Sequence, residues 1–217
     1  MSNPNQRMLP ISPRLQWAVW GFLAAVIVVI AVLFAQSRHK TRTADFPVLS
    51  ELKNFSLTNQ LGEPTGLQNL EGQVWVANII FTRCAGPCPR LTEFMASIQR
   101  DLQGISGVRL VTMTTDPEFD TPAVLRKYSE RFKGDPSRWW FLTGTRKEIA
   151  GLARDGLKLT AVEKNPGERD NDADLFIHST IFVVVDKHGR MRATFETDEP
   201  DSKTRILNAV KQLLAES

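Results

Sequence analysis

The sequence predicts a mixed three-layer α/β domain behind a single N-terminal transmembrane helix. Three observations carry that prediction. Residues 17–35 contain no charged side chain. From Phe46 onward, short apolar runs suited to strands alternate with stretches of helical spacing, the pattern of a sheet covered by helices. The only two cysteines, Cys84 and Cys88, fall together in the loop after the first buried run, and strand ends of this kind are where α/β sheets build their sites. The chain therefore divides into a short tail (1–16), an anchor (17–35), a basic tether (36–45) and a globular domain (46–217).

The anchor reads WAVWGFLAAVIVVIAVLFA. As a helix it rises about 28 Å, close to the roughly 30 Å hydrocarbon core of a bilayer. Trp17 and Trp20 sit at one end, where amphipathic rings prefer the interface. Small residues at Ala35 and Ser37 resemble a signal-peptide cleavage site, but the apolar region is longer than the roughly 7–15 residues of such peptides, so the segment reads as uncleaved. Arg7 and Arg14 precede it and Arg38, Lys40 and Arg42 follow it, so the positive-inside rule does not orient it.

In the domain, residues 55–58 alternate like a strand and residues 59–64 are turn-like. Residues 74–81 (VWVANIIF) make a buried strand. Pro89 opens a helix whose apolar positions are Leu91, Phe94, Met95, Ile98 and Leu102, with Gly104 ending it. Residues 108–113 are a second strand. Asp120 is the expected N-cap of a helix carrying Val124, Leu125, Tyr128 and Phe132. Residues 139–142 are a third strand, and Thr145 starts a helix through about Leu157. Residues 163–174 form a polar, exposed insert. Residues 179–185 and 191–195 flank a hairpin turn at Asp186, Lys187, His188, Gly189 and Arg190, and Ile206, Val210, Leu213 and Leu214 line a last helix.

Composition narrows the function. Of 217 residues 42% are hydrophobic and 24% charged, which excludes a disordered chain. The net charge of +3 arises in residues 1–42, which hold five bases and no acid; beyond them 22 bases face 24 acids, so the domain is no basic nucleic-acid binder. Two cysteines exclude a disulfide-dense scaffold and a four-thiolate iron–sulfur cluster. With only His39, His178 and His188 to help, they also exclude the usual four-ligand zinc finger.

The cysteines stand in FTRCAGPCP, residues 81–89. Cys88 directly precedes Pro89 and takes the expected N-cap position, where unpaired N–H groups and the helix dipole favour a thiolate; Arg83 adds positive charge. The C-x-x-x-C spacing lets both sulfurs converge, to close a small disulfide or to pinch a metal. A loop this short constrains the unfolded chain little, so a stapling role explains the pair poorly. Soft thiolates select Cu(I), Zn(II) or iron–sulfur centres, and Cu(I) is satisfied by two thiolates and one imidazole. His178, before a buried strand, is the candidate third ligand or a hydrogen-bonded strand-end histidine. His188 reads as a solvated turn residue and His39 as a juxtamembrane one.

The order of motifs resembles a known family. Phe81-Thr82 before C-x-x-x-C-P, then Thr115-Asp116-Pro117 and Asp120-Thr121-Pro122, then residues 140–144 (WFLTG), then His178-Ser179 before a strand ending at Asp186 is similar to the Sco/SenC family. The resemblance runs from about Phe46 to the C-terminus. It implies a thioredoxin-like, membrane-anchored copper metallochaperone that serves the dinuclear copper site of cytochrome c oxidase. Its copper ligands map onto Cys84, Cys88 and His178, for Cu(I) or Cu(II). Its partner would be the copper-site subunit of the oxidase, besides other periplasmic copper carriers or thiol–disulfide proteins. The domain would lie on the periplasmic side of the inner membrane. Two departures stand out: Ala85-Gly86-Pro87 replaces the Pro and acid common inside the loop, and residues 173–177 (ADLFI) replace the usual Asp-Tyr pair before the histidine. The alternative within the same resemblance is a membrane-tethered thiol–disulfide oxidoreductase in which Cys84 attacks and Cys88 resolves. Ile177-His178 stands where thioredoxin-like reductases place a cis-proline, which favours metal chemistry over generic reduction. The chain reads as no classical enzyme unless Cys84 and Cys88 serve as a thiol–disulfide oxidoreductase, and of the threonine and proline pattern of a peroxidase only Thr82 is present.

Overall fold

The computed structural model describes residues 13–39, 46–159, 162–163, 176–177 and 180–216, with side chains of the first helix described only as far as Ile30. That helix, α1 (Pro13–His39), spans 27 residues. Along it Trp17, Trp20, Phe22 and Ile27 stand exposed. The fourteen residues 17–30 rise about 21 Å. Among the described residues no helix is long and apolar enough to cross a membrane.

Residues Phe46–Ser217 form a separate compact unit. Its strands are β1 (Ser50–Glu51), β2 (Ser56–Asn59), β3 (Pro64–Gly66), β4 (Val74–Ile80), β5 (Val108–Thr114), β6 (Trp139–Thr143), β7 (Val162–Glu163), β8 (Phe176–Ile177), β9 (Ile181–Val185) and β10 (Arg190–Glu196). Its helices are α2 (Cys88–Asp101), α3 (Pro122–Arg131), α4 (Arg146–Ala150) and α5 (Ser202–Ala215). Among the described residues the main sheet orders its strands β1-β10-β9-β4-β5-β6-β2-β3. β4, β5 and β6 run parallel, and the outer pairings are antiparallel.

The period of two along β4 explains the layers. Val74, Val76 and Ile80 join a core with Leu91, Met95 and Ile98 of α2, Leu125 of α3 and Ile206 and Val210 of α5. Trp75, Ala77 and Ile79 face a second core with Leu52, Leu57, Ile149, Leu152 and Leu157. Every residue of β4 is buried, as a strand covered on both faces requires. The expected three-layer α/β class is what the domain adopts.

Several elements differ in detail from the sequence reading. Residues 59–64 do turn, but Pro64 already belongs to β3, paired with β2 through Thr58↔Pro64. β3 is the sheet's last strand, the place where a residue without an N–H is tolerated. The helix after Thr145 is regular only to Ala150 and continues as a wider π-helical turn, Gly151–Gly156. Thr145 and Glu148 close a reciprocal capping box at its start. Of the polar insert, residues 164–174 lie outside the described residues; at its edges β7 pairs with β8. The final hairpin turns at Gly189, whose φ of 71° suits glycine, with Asp186 N–H donating to Arg190 O.

Candidate metal centre

β4 ends at Ile80 and hands the chain to the cysteine loop. Thr115 N–H donates to Ile80 O at 2.9 Å, so the loop begins beside the segment that follows β5. Cys84 N–H donates to Phe81 O, and the Gly86 N–H reaches the Cys84 Sγ at 3.3 Å. α2 then starts at Cys88, with Leu91 N–H on Pro87 O. Pro87, not Cys88, is therefore the N-cap residue, and Cys88 is the first helical residue.

Burial separates the two thiols: Cys84 is 7% exposed and Cys88 1%. They are not bridged. The Cys88 thiol is pushed above the usual range, first by its hydrogen bond with the Cys84 sulfur and then by burial, against an opposing backbone hydrogen bond at Phe81. The expectation of a thiolate favoured by the helix start is thus corrected: sulfur–sulfur contact and desolvation outweigh the dipole. Arg83 does not supply the expected charge. It pairs with Asp116 at 2.5 Å and lies over the Phe119 ring at 4.2 Å.

The acids after β5 form the other wall. Asp116 N–H donates to Thr114 Oγ1, and Asp120 N–H to Asp116 O. Asp120 is wholly buried and does not cap α3; Thr121 does, accepting from Val124 N–H. The Asp120 carboxylate accepts instead from Thr82 N–H at 3.0 Å and from the hydroxyls of Thr82 and Thr114. Burial pushes Asp120 above the carboxylate range, and the threonine donors offset this only in part. On the helix side, Thr92 Oγ1 donates to Cys88 O at 2.8 Å and meets the Tyr128 hydroxyl at 3.1 Å. Burial raises Tyr128 to about 12. Sequence reasoning missed the roles of Thr82, Thr92 and Tyr128. Their signal lies in the sheet and not in the sequence: Ile80 and Thr114 are in register, which sets Thr82 near the acids that follow β5.

The structure thus brings Cys84 and Cys88 together. His178 lies outside the described residues. Among the described residues no group of three His, Cys, Asp or Glu side chains forms a metal-holding cluster. β9, the strand after His178, pairs with β4 through Trp75↔Val185 and Ala77↔Val183, so its first residue, Ile181, lies toward the end of β4 from which the cysteine loop leaves. His188 donates its backbone N–H to Asp186 in the distant hairpin turn.

Residues 48–215 match the family model described as SCO1/SenC. The chain belongs to the SCO1/SenC family. It is 32% identical over 167 residues to the SCO1 protein homolog of Bacillus subtilis, covering 76% of this chain and 83% of that protein. The solved structure of BsSco, a member of the Sco family of cytochrome c oxidase assembly proteins with a disulfide switch, superposes with a TM-score of 0.67 at 31% identity, over 78% of this chain and 96% of BsSco. Yeast Sco1 with copper bound gives a TM-score of 0.63 at 25% identity, over 79% of this chain and 91% of that one. The domain therefore has the thioredoxin-like Sco fold.

Proposed function

We propose that this chain is a membrane-anchored metallochaperone that carries copper on Cys84, Cys88 and His178 and hands it to the copper-site subunit of cytochrome c oxidase. One observation carries the reading: two unbridged cysteine sulfurs touch each other at the buried start of α2. A soft, two-sulfur donor set fits Cu(I), and an imidazole completes a three-coordinate site. Loading releases the thiol protons, and ligand exchange with a second thiolate site unloads the metal. Likeness to copper-loaded yeast Sco1 and to BsSco supports both the cargo and the destination. The exposed apolar row of α1 needs a non-aqueous environment, so residues 17–35 are read as the anchor, with the domain on the periplasmic side of the inner membrane.

The same contact supports a second reading. Adjacent sulfurs can close a disulfide, and Cys84 is the more accessible. Cys84 then attacks a target disulfide, expelling one target thiolate and forming a mixed disulfide; Cys88 attacks the Cys84 sulfur, closes the Cys84–Cys88 bond and displaces the second target thiolate, so two electrons pass to the target. Reduction of the target's cysteines and copper transfer can follow one another on the same protein.

The test is a Cu(I) titration of the reduced full chain in detergent against a competing chelator, repeated on His178→Ala. Tight one-to-one binding that weakens in the variant is expected. Binding indifferent to His178 would remove the imidazole from the site, and absence of tight binding would leave disulfide chemistry as the function.

A further inference from the structure

The cysteine loop is fastened at its two ends by different means. At its far end Cys88 is built into α2, where Thr92 Oγ1 donates to Cys88 O. At its near end no helix holds it. There Thr82, two residues before Cys84, gives both its N–H and its hydroxyl to the Asp120 carboxylate. Asp120 belongs to the connection after the neighbouring strand and is itself held twice, by the Thr114 hydroxyl and by its own N–H on Asp116 O. The carboxylate is buried, and its hydrogen-bond partners among the described residues are neutral, since Arg83 is engaged by Asp116. A buried carboxylate without a cation is an expensive way to hold a loop, and a neutral residue would suffice if only packing were needed.

We infer that Asp120 is a positioning residue for the dithiol: by gripping Thr82 it fixes where Cys84 stands, and so keeps its sulfur against that of Cys88. The inference rests on the cysteine pair being the working site, and it holds for copper and for disulfide chemistry alike. With the grip lost, Cys84 samples positions away from Cys88. The effective concentration of one sulfur at the other falls, which makes the disulfide easier to reduce and the two-sulfur chelate weaker.

The test uses the full chain in detergent, with Asp120→Ala, Asp120→Asn and Thr82→Val. The metal-free reduction potential of the pair is measured in glutathione buffers, and Cu(I) affinity by chelator competition. In Asp120→Ala the disulfide should lose about tenfold in stability, a potential about 30 mV more oxidising, with a similar fall in Cu(I) affinity. Asp120→Asn keeps acceptor and shape, so most of both losses should be restored. Thr82→Val keeps the N–H bond and should fall between. A folded Asp120→Ala chain with the parent potential overturns the inference. If that variant does not fold, Thr82→Val decides: an unchanged potential overturns the inference and a shifted one supports it. Failure of the parent chain to bind Cu(I) would count against the copper reading alone, because the potential is read without metal.

Discussion

Asp120 and Asp186 are both buried aspartates, lying toward opposite ends of β4, and their company differs. Asp186 sits between two cations, with Arg190 Nε at 2.8 Å and Arg192 Nη1 at 2.9 Å, and it also accepts the N–H groups of His188 and Arg190. Arg192 goes on to Glu216 and to Phe46 O, so this cluster ties the first and last parts of the compact unit together. Burial pushes Asp186 up, but these donors outweigh it and hold it below the usual carboxylate range. Asp120 has threonines instead, and burial wins. The difference teaches that one end of the sheet is neutralised for stability, while the other keeps an uncompensated acid beside two thiols.

The sharpest way to separate the two ends is to remove one sulfur. Cys84→Ser and Cys88→Ser should each lower Cu(I) affinity by more than about a hundredfold, since even groups outside the ligand set cost 10–100-fold. Chelator competition reads this, and denaturant unfolding should change little by comparison. The next largest effect belongs to the other end. Asp186→Ala leaves Arg192 largely buried with one partner fewer and should cost about 3–5 kcal/mol in denaturant unfolding, with Cu(I) affinity unchanged. A loss of copper affinity in that variant would break the division of labour.

Acidity gives a smaller, signed contrast of at most about one proton, or roughly 1.4 kcal/mol per pH unit, for each group. Asp186 titrates lower in the folded chain than in the unfolded one, so its contribution is present above the unfolded value of about 3.9 and is lost as pH falls through its folded pKa. Asp120 titrates higher when folded, so its contribution is complete below about 3.9 and is lost as pH rises through its folded pKa. Unfolding free energies measured across the acid range should therefore show a shallower low-pH fall in Asp186→Asn, since Asp135 and Glu148 still contribute, and a shallower fall on the rising side in Asp120→Asn. Smallest is the cap of α3: Thr121→Ala should cost about 1 kcal/mol by thermal or denaturant unfolding, whereas Asp120→Asn should leave helix capping intact.

The legible parts of the fold are those where one local pattern decides. The run 74–81 is apolar but for Asn78, and a short run of that kind suits a strand covered by two layers, so β4 was readable to within a residue. Gly189 marked the hairpin turn for the same local reason. β3 was not readable: three residues starting with proline become a strand only because β2 lies beside them. Gln60 is another case. Its side chain imitates a strand edge, donating to Trp139 O and accepting from Phe141 N–H, and nothing in its neighbours announces that.

At the site, the sequence by itself determined which atoms are available: two sulfurs four residues apart at a strand end, acids at the end of the next strand, and a histidine before a later one. Residue type fixes that inventory, and spacing along a helix or strand fixes which of them share an end. The tertiary structure decided how they are charged and held. Whether Asp120 or Thr121 caps α3 and whether Arg83 faces the thiols or Asp116 depend on partners more than thirty residues away, and the upward push on the Cys88 thiol depends on the Cys84 sulfur and on burial. Desolvation and hydrogen bonding act through space, so the chain's chemistry was written in its order and its electrostatics only in its fold.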